Sequence, residues 1–169
     1  IMIKYYKCLF IIMCLSIIFS QEVWFKGNLK GLKDLDLKLN LKGVDDKIWE
    51  KKLESFIKLS FLEHDIQFME KAMPQLVLDI HLMDSRVDKV SSYLVSFSVF
   101  NYSISEYVYY ESLADSSIPK NLMISKIFSH EIMGQSTSNR LYKDVEKSVQ
   151  NLISMLIDQW YKDNPMKQF

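Results

Sequence analysis

Residues 35–42 alternate apolar and polar side chains without a fault. A period of two buries one face of a strand and wets the other, so this run predicts a half-buried β-strand, closed by Gly43. The period then changes. From residue 47 to about His64, Trp49, Leu53, Phe56, Ile57 and Ser60 recur at helical spacing. Lys47, Glu50, Lys51, Glu54 and Lys58 occupy the rest of that surface, which predicts an amphipathic helix with Asp45 or Asp46 as its N-cap.

Residues 66–69 form at most a short extended stretch. Pro74 then introduces a strand over 75–84 with Leu76, Leu78, Ile80 and Leu82 on one face, followed by a polar turn at 84–89. A long strand is expected from Ser92 to about Glu111, with Val95, Phe97 and Val99 inward and a bend or break at 101–105. Residues 112–121, which include Pro119, read as a loop, and another strand runs from Met123 to Met133, ended by Gly134. Over 141–161, Leu141, Val145, Val149, Leu152, Leu156 and Trp160 share a helical face, widened by Ile153 and Ile157. Asn164-Pro165 stops this helix. The order strand, helix, three strands, helix gives an α+β fold: a two-layer sandwich with both helices on one face of a four-stranded, mostly antiparallel sheet. The first strand joins the meander through a crossover helix.

The N-terminus is organised differently. Residues 1–20 carry Lys4 and Lys7, then an apolar run from Cys8 to Phe19 broken only by Ser16, then the small Ser20. This is the layout of a secretory signal peptide, with cleavage expected after Ser20. Twelve residues are short of the ~20 that cross a bilayer as a helix. Both cysteines, Cys8 and Cys14, lie in this segment, so the exported domain would hold no disulfide and no thiolate site. The expected organisation is a signal peptide over 1–20, a lead-in over 21–30, one domain over 31–163 and a tail over 164–169.

Charge excludes one class of partner. The chain has 21 basic and 21 acidic residues, and Lys4 and Lys7 are two of the basic ones, so the rest is net −2. No basic stripe interleaves with aromatics, so no nucleic-acid partner is expected. With four glycines and no GxGxxG or Walker loop, no nucleotide cofactor is expected either.

The signal peptide, the run Met73-Pro74-Gln75-Leu76-Val77-Leu78-Asp79-Ile80, the long third strand and the closing helix with its Asp163-Asn164-Pro165 stop resemble uncharacterised small exported bacterial α+β proteins. The order of elements is also similar to that of the lipopolysaccharide-assembly lipoprotein of the outer membrane. That resemblance implies a non-enzymatic envelope protein that works with a larger partner. This chain departs from it in having no lipid-accepting cysteine.

Candidate chemistry is sparse. Asp79 and His81 share the outward face of the second strand, where a solvent-facing polar pair accounts for them. His130 and Glu131 are adjacent and so point to opposite faces, while His64-Asp65 closes the first helix. No paired-His spacing predicts a metal, and no serine lies in a G-x-S-x-G or S-x-x-K setting. Asn101-Tyr102-Ser103 matches the glycosylation triplet, a frequent chance match. The aromatic residues Phe100, Tyr102, Tyr107, Tyr109 and Tyr110 crowd one strand region and form the candidate partner surface. The leading expectation is a non-enzymatic, periplasmic or secreted protein that binds an envelope protein. The alternatives are a small exported hydrolase with a site on 84–91 or 112–122, and a carrier of apolar ligands with a cavity between helices and sheet.

Overall fold

The structure is a computed structural model and describes residues 27–44, 46–71, 73–83, 90–112 and 121–167, without the side chains of Glu106, Glu111 and Ser112. The expected signal peptide, the 84–89 turn and most of the 112–121 loop lie outside the described residues.

Strand β1 (Asp34–Lys42) leads through Gly43 into α1 (Lys47–Leu62). Gly43 has φ +75°, and a Cβ there would lie 2.4 Å from the Leu82 carbonyl oxygen, so a side chain is excluded on two grounds. Asp46 caps α1: its carboxylate accepts the N–H groups of Ile48 (2.9 Å) and Trp49 (3.0 Å). The helix buries Trp49, Leu53, Ile57 and Phe61. Phe56, expected inward, is half turned out to solvent, and Phe61 fills the core in its place.

The chain continues through β2 (Gln67–Phe68), β3 (Gln75–Met83), β4 (Val90–Ser103), a short helix α2 (Glu106–Ser112), β5 (Met123–Thr137) and α3 (Leu141–Asp163). The fold is α+β, and the sheet has five strands in the order β2-β1-β3-β4-β5 rather than four. The added strand is the two-residue β2, parallel to β1 at the edge. β1 and β3 are parallel, joined by α1, and β3, β4 and β5 form an antiparallel meander.

Two further expectations are corrected. The third strand ends at Ser103, and residues 106–112 are helical, opened by the Tyr109 N–H donating to the Ser105 carbonyl (2.9 Å). Gly134 does not end the last strand, which runs through it to Thr137. Gly134 lies opposite Tyr93, and a Cβ on it would sit 2.4 Å from that ring. The glycine makes room for an aromatic ring across the ladder, so it continues the strand where a lone glycine reads as a breaker.

One core joins both helices to the same face of the sheet. Leu76, Leu78 and Ile80 of β3 and Val95, Phe97 and Val99 of β4 pack with Leu53, Ile57 and Phe61 of α1 and with Val149, Leu152 and Leu156 of α3. The helices meet through the Trp49 indole, which donates to Glu146 (2.7 Å) and packs against Tyr142. At their other ends, His64 Nδ1 and the Tyr161 hydroxyl are 2.8 Å apart.

Candidate functional site

The candidate surface is built where β4 runs out. Beyond the buried Val99, alternation puts Phe100 and Tyr102 on the face away from the helices. Phe100 is half-buried, with the Lys126 ammonium 5.8 Å from its ring centroid. Tyr102 is 49% exposed and lies opposite Ile124 at the start of β5. The chain then turns into α2, whose Tyr107 and Tyr110 are 72% and 64% exposed. Tyr109 is exposed too, its ring edge-on to Tyr110 with centroids 5.7 Å apart.

All five residues named from the sequence therefore lie at one end of the β4–β5 pair, but three of them are on a helical turn instead of a strand. Helical geometry fans Tyr107, Tyr109 and Tyr110 in different directions, which exposes more aromatic surface than a half-buried strand would. Leu122 and Met123, both exposed, follow in the chain at the same end. Large exposed side chains are normal singly; gathered at one tip, they form a surface that a partner can desolvate.

The lead-in reaches this end of the molecule as well. The side-chain amide of Asn28 donates to the Ile127 carbonyl (3.0 Å), and the Trp160 indole donates to the Leu32 carbonyl (2.8 Å). Leu29 is fully buried in the core.

The remaining sequence candidates are placed apart. The Asp79 carboxylate accepts from the Asn40 amide (2.8 Å) on the neighbouring strand. It borders a depression of about 540 Å³ with Asn40, Lys42 and Glu50, and His81 does not line it. His64 is engaged with Tyr161 between the helices. His130 lies beside Phe128 with ring centroids 4.9 Å apart, and burial pushes its pKa below the ordinary histidine value. The Ser96 hydroxyl donates to Glu131 (3.1 Å), and Ser98 meets the Ser129 hydroxyl at 3.1 Å. Neither serine is paired with a histidine in these contacts. Among the described residues no group of three or more His, Cys, Asp and Glu side chains could hold a metal ion. Nor is any described helix long and apolar enough to cross a membrane.

Sequence reasoning missed a groove of about 590 Å³ between α1 and α3. Leu53 and Phe56 contribute its apolar part, and Lys52, Arg140, Lys143 and Lys147, together with Asp144 and Glu146, its charged wall. The signal was available in the sequence as charged residues of both signs on the two helices, but only their packing brings them to one groove. It lies between the helices, at the end of the molecule where β5 gives way to α3, and not between helices and sheet where a carrier cavity was expected.

No protein-family model matches the chain, and comparison with curated proteins gives no match. Among solved structures, the chain is similar to a minor lipoprotein from Acinetobacter baumannii, a crystal structure at 2.35 Å resolution. The two are 12% identical over 82% of this chain and 88% of that one, with a TM-score of 0.26. At that level of superposition the likeness carries no argument about fold or function.

Proposed function

We propose that this protein is exported and acts in the cell envelope as a non-enzymatic module that binds another protein through the tyrosine-bearing end of its sheet. The observation that carries this reading is the exposure of Tyr102, Tyr107, Tyr109 and Tyr110 beside Leu122 and Met123 at a single tip. Tyrosine offers a large apolar area with few rotatable bonds and a hydroxyl at its edge, which is why interfaces are rich in it. The basic, apolar and small segments of residues 1–20 support export.

The binding test is substitution of Tyr107, Tyr109 and Tyr110 by Ser together. All three are exposed, so the melting temperature should stay within a few degrees of the parent. A protein that co-purifies with the parent from the envelope should be lost from the variant. Undiminished recovery of that protein with the triple variant would refute the assignment of the surface. Export is tested separately by mass measurement, which should find Gln21 as the mature N-terminus; an intact 1–20 segment would contradict it.

A further inference from the structure

We propose that the outer face of α1 docks on the surface of a bilayer rich in anionic phospholipid, lying along it without crossing it. α1 buries Trp49, Leu53, Ile57 and Phe61 on one side. At about 100° per residue, Ile48, Ser55, Leu59 and Leu62 fall on the opposite side, where a surface helix ordinarily carries polar groups. Yet Ile48, Leu59 and Leu62 are 70%, 61% and 54% exposed. Phe56, one turn before Leu59, adds part of its ring. The Ser55 hydroxyl between them donates to the Lys51 carbonyl (2.9 Å), so it loses little on leaving water. The helix is thus apolar on two opposite sides, and the core covers only one.

The choice of occupant follows from charge. Lys51 and Lys52, both exposed, flank the outer stripe on its two sides. Across the groove from Lys52, α3 presents Lys143 and Lys147, also exposed. None of these four is in an ion pair among the described residues. The acids beside them are already held: Glu54 by Lys58, Asp144 by the Ser136 hydroxyl and Arg140, and Glu146 by the Trp49 indole. Against the four lysines stands Glu63, directly after Leu62. Exposed apolar side chains bordered by lysines are what a helix lying in an anionic lipid interface needs, since the apolar groups enter the headgroup boundary while the ammonium groups meet phosphate.

A second copy of this chain is the other occupant of such a face, and the same lysines oppose it. An antiparallel pair of α1 helices that matches Ile48 with Leu62 has its two-fold axis at Ser55. That axis sets Lys52 opposite Lys58 of the second copy, twice, and like charges so placed disfavour the contact. An anionic lipid surface neutralises these charges instead. The face uses no residue of α2, so it is a second surface beside the one that carries Tyr107, Tyr109 and Tyr110.

Flotation of the purified protein with vesicles tests this, using phosphatidylglycerol and phosphatidylcholine in equal parts against phosphatidylcholine alone. The parent should float with the anionic vesicles, float far less with the neutral ones, and be released by about 0.5 M NaCl. Leu59→Ser with Leu62→Ser, and separately Lys51→Glu with Lys52→Glu, should each weaken binding by about tenfold or more. Both pairs leave residues 1–20 unchanged, so a loss is assigned to α1. All four side chains are on the surface, and circular dichroism and melting of each variant should match the parent. A parent that does not float with anionic vesicles would overturn the proposal. So would equal flotation of the parent and both variants, or a parent dimer in sedimentation that Leu59→Ser with Leu62→Ser dissociates, which would give the face to a second copy.

Discussion

The carboxylate of Asp163, at the end of α3, accepts the backbone N–H groups of Leu29 (2.9 Å) and, through its other oxygen, of Gly27 (2.7 Å). Asn164 extends the clamp: its side chain accepts from the Gly31 N–H (2.8 Å) and donates to the Leu29 carbonyl (3.0 Å). The end of the chain thus fastens the segment that leads into β1. Backbone groups that no helix or strand would satisfy are paired by two side chains. Replacing Asp163 by Ala strands two donors, one of them buried, at a cost of about 1–3 kcal/mol. The melting temperature should fall by roughly 3–10 °C, and hydrogen exchange at the Leu29 amide should accelerate. An unchanged melting curve would show that the clamp contributes nothing.

The docking of α3 is tested by two substitutions on the same helix. Leu156 is fully buried, and Lys147 is exposed on the groove wall. Leu156→Asp removes a core side chain, worth about 2–5 kcal/mol, and leaves an unpaired carboxylate in an apolar interior. Against a total of about 5–15 kcal/mol, much of the protein should be unfolded at room temperature. Lys147→Asp should cost about 0.5 kcal/mol or less. Thermal unfolding of both, side by side, should separate them widely.

Acid should destabilise the protein through His130. Its pKa is lowered by burial, so the folded state binds fewer protons there than the unfolded chain. The stability it contributes is fully present above the unfolded value of about 6.5 and is lost as pH falls through the lower folded value. Denaturant midpoints measured from pH 7.5 to 5 should decline more steeply for the parent than for His130→Gln. Parallel declines would assign the effect to other groups.

Much of this architecture was legible in the sequence because its strongest signals are periodic. Of the stripe Leu141, Val145, Val149, Leu152, Leu156 and Trp160, with Ile153 and Ile157, all are buried as their spacing required except Leu141 at the start of the helix, which is half-buried. The same criterion missed Ser148 and Asp163, which are buried on that helix too, because apolar periodicity gives no credit to polar residues with dedicated partners. Ser148 donates to the Tyr93 hydroxyl (3.2 Å), and Asp163 holds the lead-in. Gly134 was misread for a related reason: its meaning lies in Tyr93, 41 residues earlier in the chain and opposite it in the sheet. Tyr107, Val108, Tyr109 and Tyr110 have the side chains of a strand, yet residues 106–112 are helical, and local helical bonding sets their conformation. The candidate surface was legible as composition, since the five aromatic residues were named from the sequence alone. Its shape was not, because that depends on where β4 stops.

The central claim is that the α2 end of the sheet is where another protein binds. Site-specific photocrosslinking in the native envelope tests it most directly, with the reactive group placed at Tyr107, at Tyr110 and, as a control, at Lys147 in the groove between α1 and α3. The account predicts one discrete heavier species from Tyr107 and from Tyr110, of the same mass, and none from Lys147. Crosslinking from Lys147 alone, or none from either tyrosine position, would contradict it.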